Sequence, residues 1–359
     1  MKRKSFLQFS APSVLLMLAL LAFPMLMTLW LSVRNCTPQL ALVTVQQTGP
    51  FGAATVTTQR AKVDAAGRAV LDCRFVGLSY YRNILGLDTP AANDDAAALA
   101  KPGSAGAAAG ISAATGDGHN EFIGALRFTL LYTLATTPFI LAGGLAMALA
   151  MNHVTQRLKG LFIAASLLPF IITPVVGALA IKWLFRDDGL VPHLLRQVGI
   201  QVFWMAQAWS AQLLIILYGI WHVMPFAFIV FYAGLQGVPQ DSLEAARLDG
   251  ASRWQQLRYV TLPHLAPLLV FVTLIHLMDA YRVFEPVLVL TRGAFTTSVQ
   301  YLTYSVLLEE NNAFKASAAA VLTLIGIGVL LIPLLRRTWR EQRGDNSAAP
   351  IEAGMKRSG

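Results

Sequence analysis

Six stretches of this chain run for about twenty residues or more with almost no ionisable side chain. Residues 5–33, 128–156, 160–181, 197–240, 259–281 and 316–335 contain no Asp, Glu, Lys or Arg apart from Asp279 in the fifth. A bilayer core needs roughly 20 apolar residues per helix, and each stretch supplies one. Only 13% of the residues are charged, about half the share found in a water-soluble protein, and the mean hydropathy is +0.56. Too little charge is left to cover a soluble surface. The net charge of +9 does not point to nucleic acid. The basic residues punctuate the apolar runs and do not gather into one rich segment with interleaved aromatics.

The apolar centres fall near residues 11–33, 123–151, 160–184, 208–236, 267–290 and 316–335, which predicts an all-α polytopic membrane protein with six spans. The first run follows Lys2, Arg3 and Lys4, as a secretory signal would. It exceeds the roughly 7–15 apolar residues of a signal and lacks a small-residue cleavage site, so the expectation is an uncleaved helix. With the N-terminus inside, the inner segments 1–10, 152–160, 237–266 and 336–359 carry 3, 2, 3 and 6 basic residues. The outer segments 185–207 and 291–312 carry two and one. The third outer segment, 34–120, is long, and long loops translocate largely regardless of charge. Both termini are therefore expected in the cytoplasm.

The organisation this predicts is an N-terminus and first helix over 1–33, an extracytoplasmic segment over 34–120, a five-helix transmembrane domain over 121–336 and a cytoplasmic tail over 337–359. Within the outer segment, residues 39–75 mix Val, Thr and Gln with Gly-Pro and Ala-Gly turns, the pattern of short strands in a small β-rich insertion. Residues 88–118 are rich in Ala, Gly, Ser and Asp with almost no large apolar side chain, the composition of a flexible linker. The two cysteines, Cys36 and Cys73, both fall in this outer segment, where disulfides persist. They are disulfide candidates, with two free thiols as the alternative.

Between the fourth and fifth spans, residues 238–263 divide into two short helices. The first is expected to start at Asp241 as N-cap and to stop at Gly250, suited to the position just past a helix end. The second opens with Ser252 and Gln255 in capping-box spacing and is expected to end before Pro263. Trp254, Leu257 and Val260 are three apart and make one face apolar. By itself this amphipathic hairpin also suits a pair of helices resting on lipid headgroups.

The same residues carry a resemblance. Glu244-Ala245-Ala246, Gly250 and Val260-Thr261-Leu262-Pro263, at these spacings, are similar to the EAA loop of the membrane subunits of binding-protein-dependent ABC importers. Residues 75–85, 167–190 and 284–295 resemble the carbohydrate-type permeases, the maltose and glycerol-3-phosphate uptake kind, so the resemblance covers 75–87 and 119–336. The chain departs from that pattern at Gly293-Ala294-Phe295, where the family commonly has Gly-Gly-Pro, and 39–74 and 88–118 look like insertions.

The resemblance implies a permease subunit that moves a sugar or related polyhydroxylated solute, delivered by an extracytoplasmic solute-binding protein, beside a second EAA-type permease. Its cytoplasmic coupling hairpin would seat on an ATPase dimer, with Glu244 anchoring, Ala245 and Ala246 permitting close approach, Gly250 making the turn, and Asp249 and Arg253 flanking. The sequence holds no Gly-x-x-x-x-Gly-Lys-Ser/Thr loop and no Gly-Lys pair, so ATP, the one cofactor implied, is expected on the partner and no enzymatic activity on this chain.

Polar groups inside apolar helices tend to face a cavity. The candidates for a solute path are His222 and Phe226 in the fourth span and His276, Asp279 and Arg282 in the fifth, the last three sharing a sector of about 120°. An ion pair from Asp279 to Arg282 or His276 is the structural alternative. His and Asp near the midplane also suit a proton-coupled secondary transporter. A metal site from His222, His276 and Asp279 lacks any HExxH-like spacing, so no metal is expected.

Overall fold

The structure is a computed structural model and describes residues 3–49, 52–62, 71–87 and 121–347. The predicted linker 88–118 lies outside the described residues. Two compact units form, one from the segment up to Ala100 with Thr303–Leu322, the other from Lys101–Leu302 with Thr323 onward.

In the first unit, α1 (Arg3–Ser32) is apolar all round, and its side chains from Val14 to Trp30 are mostly exposed, as suits a helix bathed in lipid. Four strands follow: β1 (Arg34–Pro38), β2 (Leu40–Gly49), β3 (Gly52–Ala61) and β4 (Leu71–Phe75). They form two separate antiparallel ladders, β1–β4 and β2–β3, so the insertion is a pair of two-stranded ribbons and begins at Arg34, five residues before the predicted 39. In the β1–β4 register Cys36 stands opposite Cys73, and the two are bonded. Val76 and Gly77 donate backbone N–H groups to the Val33 carbonyl at 3.0 and 3.2 Å. Tyr81 of α2 (Ser79–Ile84) donates its hydroxyl to Ser32 Oγ at 2.8 Å. The ribbon thus starts and finishes at the same end of α1.

The second unit is built on α3 (Glu121–Met151), α7 (Ala208–Leu235) and α10 (Leu262–Tyr281). Lipid tails are as apolar as Leu, so membrane helices associate through close packing of small residues. A methyl added at Gly144 of α3 would stand 2.6 Å from Ala227 Cβ and 2.9 Å from the Phe228 nitrogen of α7. Ile140, Ala148, Phe228, Phe231 and Val272 fill the seam around that approach and are fully buried.

Five helices are long and apolar enough to cross a bilayer, among the described residues, and a bent pair makes a sixth if counted as one span. That pair corrects the predicted span 160–184. It consists of α4 (Gln156–Ile171) and a second half over Pro174–Gln197, which opens with α5 (Pro174–Phe185), and the two halves are bent by 93°. Ile172 and Thr173 are extended, with ψ of 132° and 142°. Pro174 disfavours the helical conformation of the residue before it and has no N–H to continue the ladder. A short α6 (Leu190–Gln197) precedes α7. The predicted span 267–290 also shifts: α10 stops at Tyr281, and a π turn at Val287–Thr291 follows. The last elements are α11 (Val299–Leu308) and α12 (Ala313–Ser347).

Closing a loop of 37 residues by Cys36 and Cys73 stabilises the ribbon by about 4 kcal/mol in the chain-entropy view. Unreduced protein from an oxidising expression compartment should take up no alkylating agent, by intact mass, and two equivalents after reduction. Two alkylated thiols without reductant would exclude the bond.

Candidate functional site

The hairpin is set by three local devices. Helix α8 (Gln240–Leu248) starts two residues earlier than predicted, with Pro239 and not Asp241 at the N-cap position and no side-chain cap. Asp241 therefore lies in the first turn, where its charge favours the helix dipole. The helix ends as a Schellman motif: Gly250 N–H donates to the Arg247 carbonyl at 3.0 Å and Ala251 N–H to the Ala246 carbonyl at 2.9 Å. Gly250 has φ of +77° with open space where a side chain would stand, so the conformation alone demands glycine. Helix α9 (Arg253–Gln256) then opens with the capping box, Ser252 N–H to Gln255 Oε1 at 2.7 Å and Gln255 N–H to Ser252 Oγ at 3.3 Å.

The predicted stop before Pro263 does not occur. The chain passes through a π turn at Leu257–Thr261 into α10, and Arg253–Tyr281 is one continuous 29-residue helix. Leu262 N–H donates to the Leu257 carbonyl, five residues back. In a plain α-helix the ring of Pro263 would meet the carbonyl four residues before it. The wider π turn leaves room, so proline is accommodated where the sequence predicts termination.

Glu244, Ala245, Asp249, Gly250 and Arg253 are exposed and Ala246 is half-buried. Glu244 makes no ion pair among the described residues. Leu248 is 90% exposed, and Trp254 and Tyr259 are also exposed. The hairpin therefore presents one carboxylate among several bare apolar side chains on a backbone that is fixed by its own hydrogen bonds.

A second cluster lies at the break in the α4–α5 pair. Phe170, near the end of α4, packs against both His222 (centroids 6.2 Å) and Phe226 (5.6 Å), four residues apart on α7. The Tyr218 ring stacks on His222 at 5.6 Å with planes 10° apart, and its hydroxyl donates to the Pro174 carbonyl at 2.8 Å. One face of α7 thus touches both halves of the broken helix. Asp279 is exposed and, with Glu285, lies within electrostatic reach of His222. Arg282 is exposed just past the end of α10. Asp279 forms no ion pair with Arg282 or His276 among the described residues.

His276 separates from this group. It is 2% exposed and its Nε2 lies 3.0 Å from Thr136 Oγ1 of α3. Thr136 Oγ1 also lies 2.8 Å from the Tyr132 carbonyl, and a hydroxyl that donates there accepts from an Nε2–H of His276. Nδ1 is left buried without a partner. Thr129 and Thr133 on the same face are buried as well, and Thr129 accepts from the Val299 N–H at 3.1 Å. Sequence reasoning missed Thr136, Phe170 and Tyr218, none of which stands out from composition. It also missed Lys182, which donates to the Val289 carbonyl in the second π turn at 2.6 Å. A lysine closing an apolar run was the available signal.

Residues 106–341 match the family described as binding-protein-dependent transport system inner membrane component. The arabinooligosaccharides transport system permease protein AraP of Halalkalibacterium halodurans is 31% identical over 232 residues, covering 62% of this chain and 73% of that one. The trehalose transport system permease protein SugA of Mycobacterium tuberculosis is 33% identical over 207 residues, covering 57% and 66%. A solved bacterial alginate ABC transporter, in complex with an alginate pentasaccharide-bound periplasmic protein, aligns with TM-score 0.56 and 25% identity over 61% of this chain and 79% of its own.

The Thr136–His276 bond predicts a stability effect. Thr136→Val keeps the shape and leaves the imidazole buried with neither nitrogen paired, which costs about 1–3 kcal/mol. The purified protein in detergent should unfold at a lower temperature than the parent. An unchanged melting temperature would show that the bond contributes nothing net.

Proposed function

Because this chain belongs to the binding-protein-dependent transport system inner membrane components, and is thus the membrane-spanning permease subunit of an ABC importer, we propose that it carries a sugar or related polyhydroxylated solute and is driven through the α8–α9 hairpin. Membership of an ATP-driven family leaves the proton-coupled alternative without support. The observation that carries the proposal is the continuous helix Arg253–Tyr281, which joins the exposed hairpin to Asp279. At 1.5 Å per residue the distance from Arg253 to Asp279 is about 39 Å, enough to cross the bilayer core. A push on the hairpin is therefore delivered to the membrane interior through one helix.

In this reading an ATPase dimer in the cytoplasm receives the hairpin, with Glu244 meeting a basic residue and Leu248 and Trp254 filling apolar ground around it. Ala245 and Ala246 let the two backbones approach, and Asp249, Gly250 and Arg253 form the rim of the turn. ATP closes the dimer, carries the hairpins of this chain and of a second permease together, and reorients the spans. Moving a 1:99 equilibrium to 99:1 takes about 5.5 kcal/mol of differential binding, which nucleotide on the partner supplies. A solute-binding protein on the far side delivers the cargo.

The sugar assignment rests on relatives named for arabinooligosaccharides and trehalose, together with the path residues. His222, Asp279 and Arg282 offer hydrogen-bond donors and acceptors, and Phe226 offers an apolar ring face for a sugar. His276 stands behind them and holds α10 to α3.

Two substitutions test this. Glu244→Lys reverses the charge at a partly desolvated contact, where losing one partner costs roughly 2–5 kcal/mol. Solute-stimulated ATP hydrolysis by the reconstituted complex should collapse while insertion of the permease survives, and retention of stimulation would sink the coupling assignment. Asp279→Leu should lower solute uptake per assembled complex about five- to hundred-fold, the equivalent of 1–3 kcal/mol for an unpaired polar partner. Normal uptake per complex would remove Asp279 from the path.

A further inference from the structure

The short helix α6, the last part of the bent pair's second half and the element before α7, has three distinct faces. Pro192 is buried against the protein. Arg196 lies on the neighbouring arc and is tied back, its Nε donating to the Pro192 carbonyl at 3.2 Å and its guanidinium to the Asp187 carbonyl. His193 and Gln197, one turn apart, are exposed and touch at 3.4 Å. Leu190, Leu194 and Val198 keep the same four-residue spacing and are 59, 51 and 77% exposed. They occupy an arc about 80° wide, next to the polar arc and clear of the protein-facing one.

The surroundings say which medium meets that apolar arc. Helix α7 crosses the bilayer once between α6 and the α8–α9 hairpin, so α6 belongs to the opposite membrane boundary. Exposed Trp183, Phe203 and Trp209 flank it, and Trp side chains favour the membrane–water interface. Trp183 sits on α5, whose exposed Val175, Val176 and Leu179 continue the apolar surface into the span.

We propose that α6 lies along the outer membrane–water boundary as an interfacial helix. Leu190, Leu194 and Val198 sink into the acyl chains of that leaflet, His193 and Gln197 stand among the headgroups, and the Pro192–Arg196 side rests on the permease. An amphipathic helix of this kind is held by its buried apolar area. It would fix the depth of α5 and hence the height of the bend that Phe170 and Tyr218 brace.

Nitroxide labels placed singly at positions 193, 194, 197 and 198 in the assembled transporter, in phosphatidylethanolamine–phosphatidylglycerol nanodiscs, test the placement. With Cys36 and Cys73 paired, each introduced cysteine is the one reactive thiol of this chain, and the partner subunits are used in cysteine-free form. Labels at 194 and 198 should collide several-fold more with oxygen, which partitions into acyl chains, than with a water-soluble nickel chelate, and labels at 193 and 197 the reverse. Low collision with both reagents at 194 and 198 would mean a protein covers the face, and nickel-dominated collision would mean it stands in water; either result overturns the proposal. The unmodified complex gives an independent reading, since a lipid carrying an acyl-chain diazirine should leave adducts on Leu190–Val198 by mass spectrometry. Adducts on the spans with none on that segment would overturn it equally.

Discussion

A backbone N–H or carbonyl inside a bilayer has no water to bond, so each must find its partner within the protein. Unbroken helices meet this demand by themselves. Where the second unit abandons the helix, side chains supply the missing bonds. Tyr218 donates to Pro174 at the start of α5, and Lys182 to Val289 in the second π turn. Beyond α10, Ser298 Oγ donates to the Val283 carbonyl at 2.6 Å, Tyr301 to Arg292 at 2.8 Å and Gln212 to Phe295 at 3.1 Å. Tyr301 also crowds Gly293, which has φ of +79° and no room for a Cβ. Glycine is required there on two counts. The irregular backbone is confined to places where a neighbouring element brings a donor, and those places are the bend and the loop nearest the polar cluster.

The same demand explains how far the sequence could be read. Charge-free runs show where helices cross, because an ionised group in the core is costly whatever the tertiary structure. Runs 5–33 and 197–240 therefore hold α1 and α7 with little adjustment. The hairpin was legible because its Schellman turn and capping box are local chemistry: Gly250, Ser252 and Gln255 specify them without help. Two prolines were misjudged for opposite reasons. Pro174 breaks a run that reads as continuous, and Pro263 fails to break one that reads as interrupted, since a π turn can be inserted ahead of a proline at no cost visible in composition.

The polar positions were harder. Spacing places His276, Asp279 and Arg282 in one sector of α10, and that much is geometry of the helix alone. Which edge of the sector faces protein depends on α3, more than a hundred residues away in sequence, and on the small residues that bring it close. Thr136 receives His276, so one edge of the sector becomes a fastening, while Asp279 at the other edge stays open. Apolar periodicity carries no record of such pairings.

The π turn at Leu257–Thr261 has a consequence for the relation between the two ends of its helix. A π turn is an α-helix holding one extra residue, and each residue turns the chain by about 100°. The azimuth of the hairpin relative to Asp279 is thus offset by a single residue's worth of phase. Lose that residue and every bond of a plain helix could close, apart from the one Pro263 cannot make, yet Glu244 would point about a quarter-turn away from its present bearing. The helix is a crankshaft whose throw is set by an insertion, and its timing is kept by the proline that makes the insertion necessary.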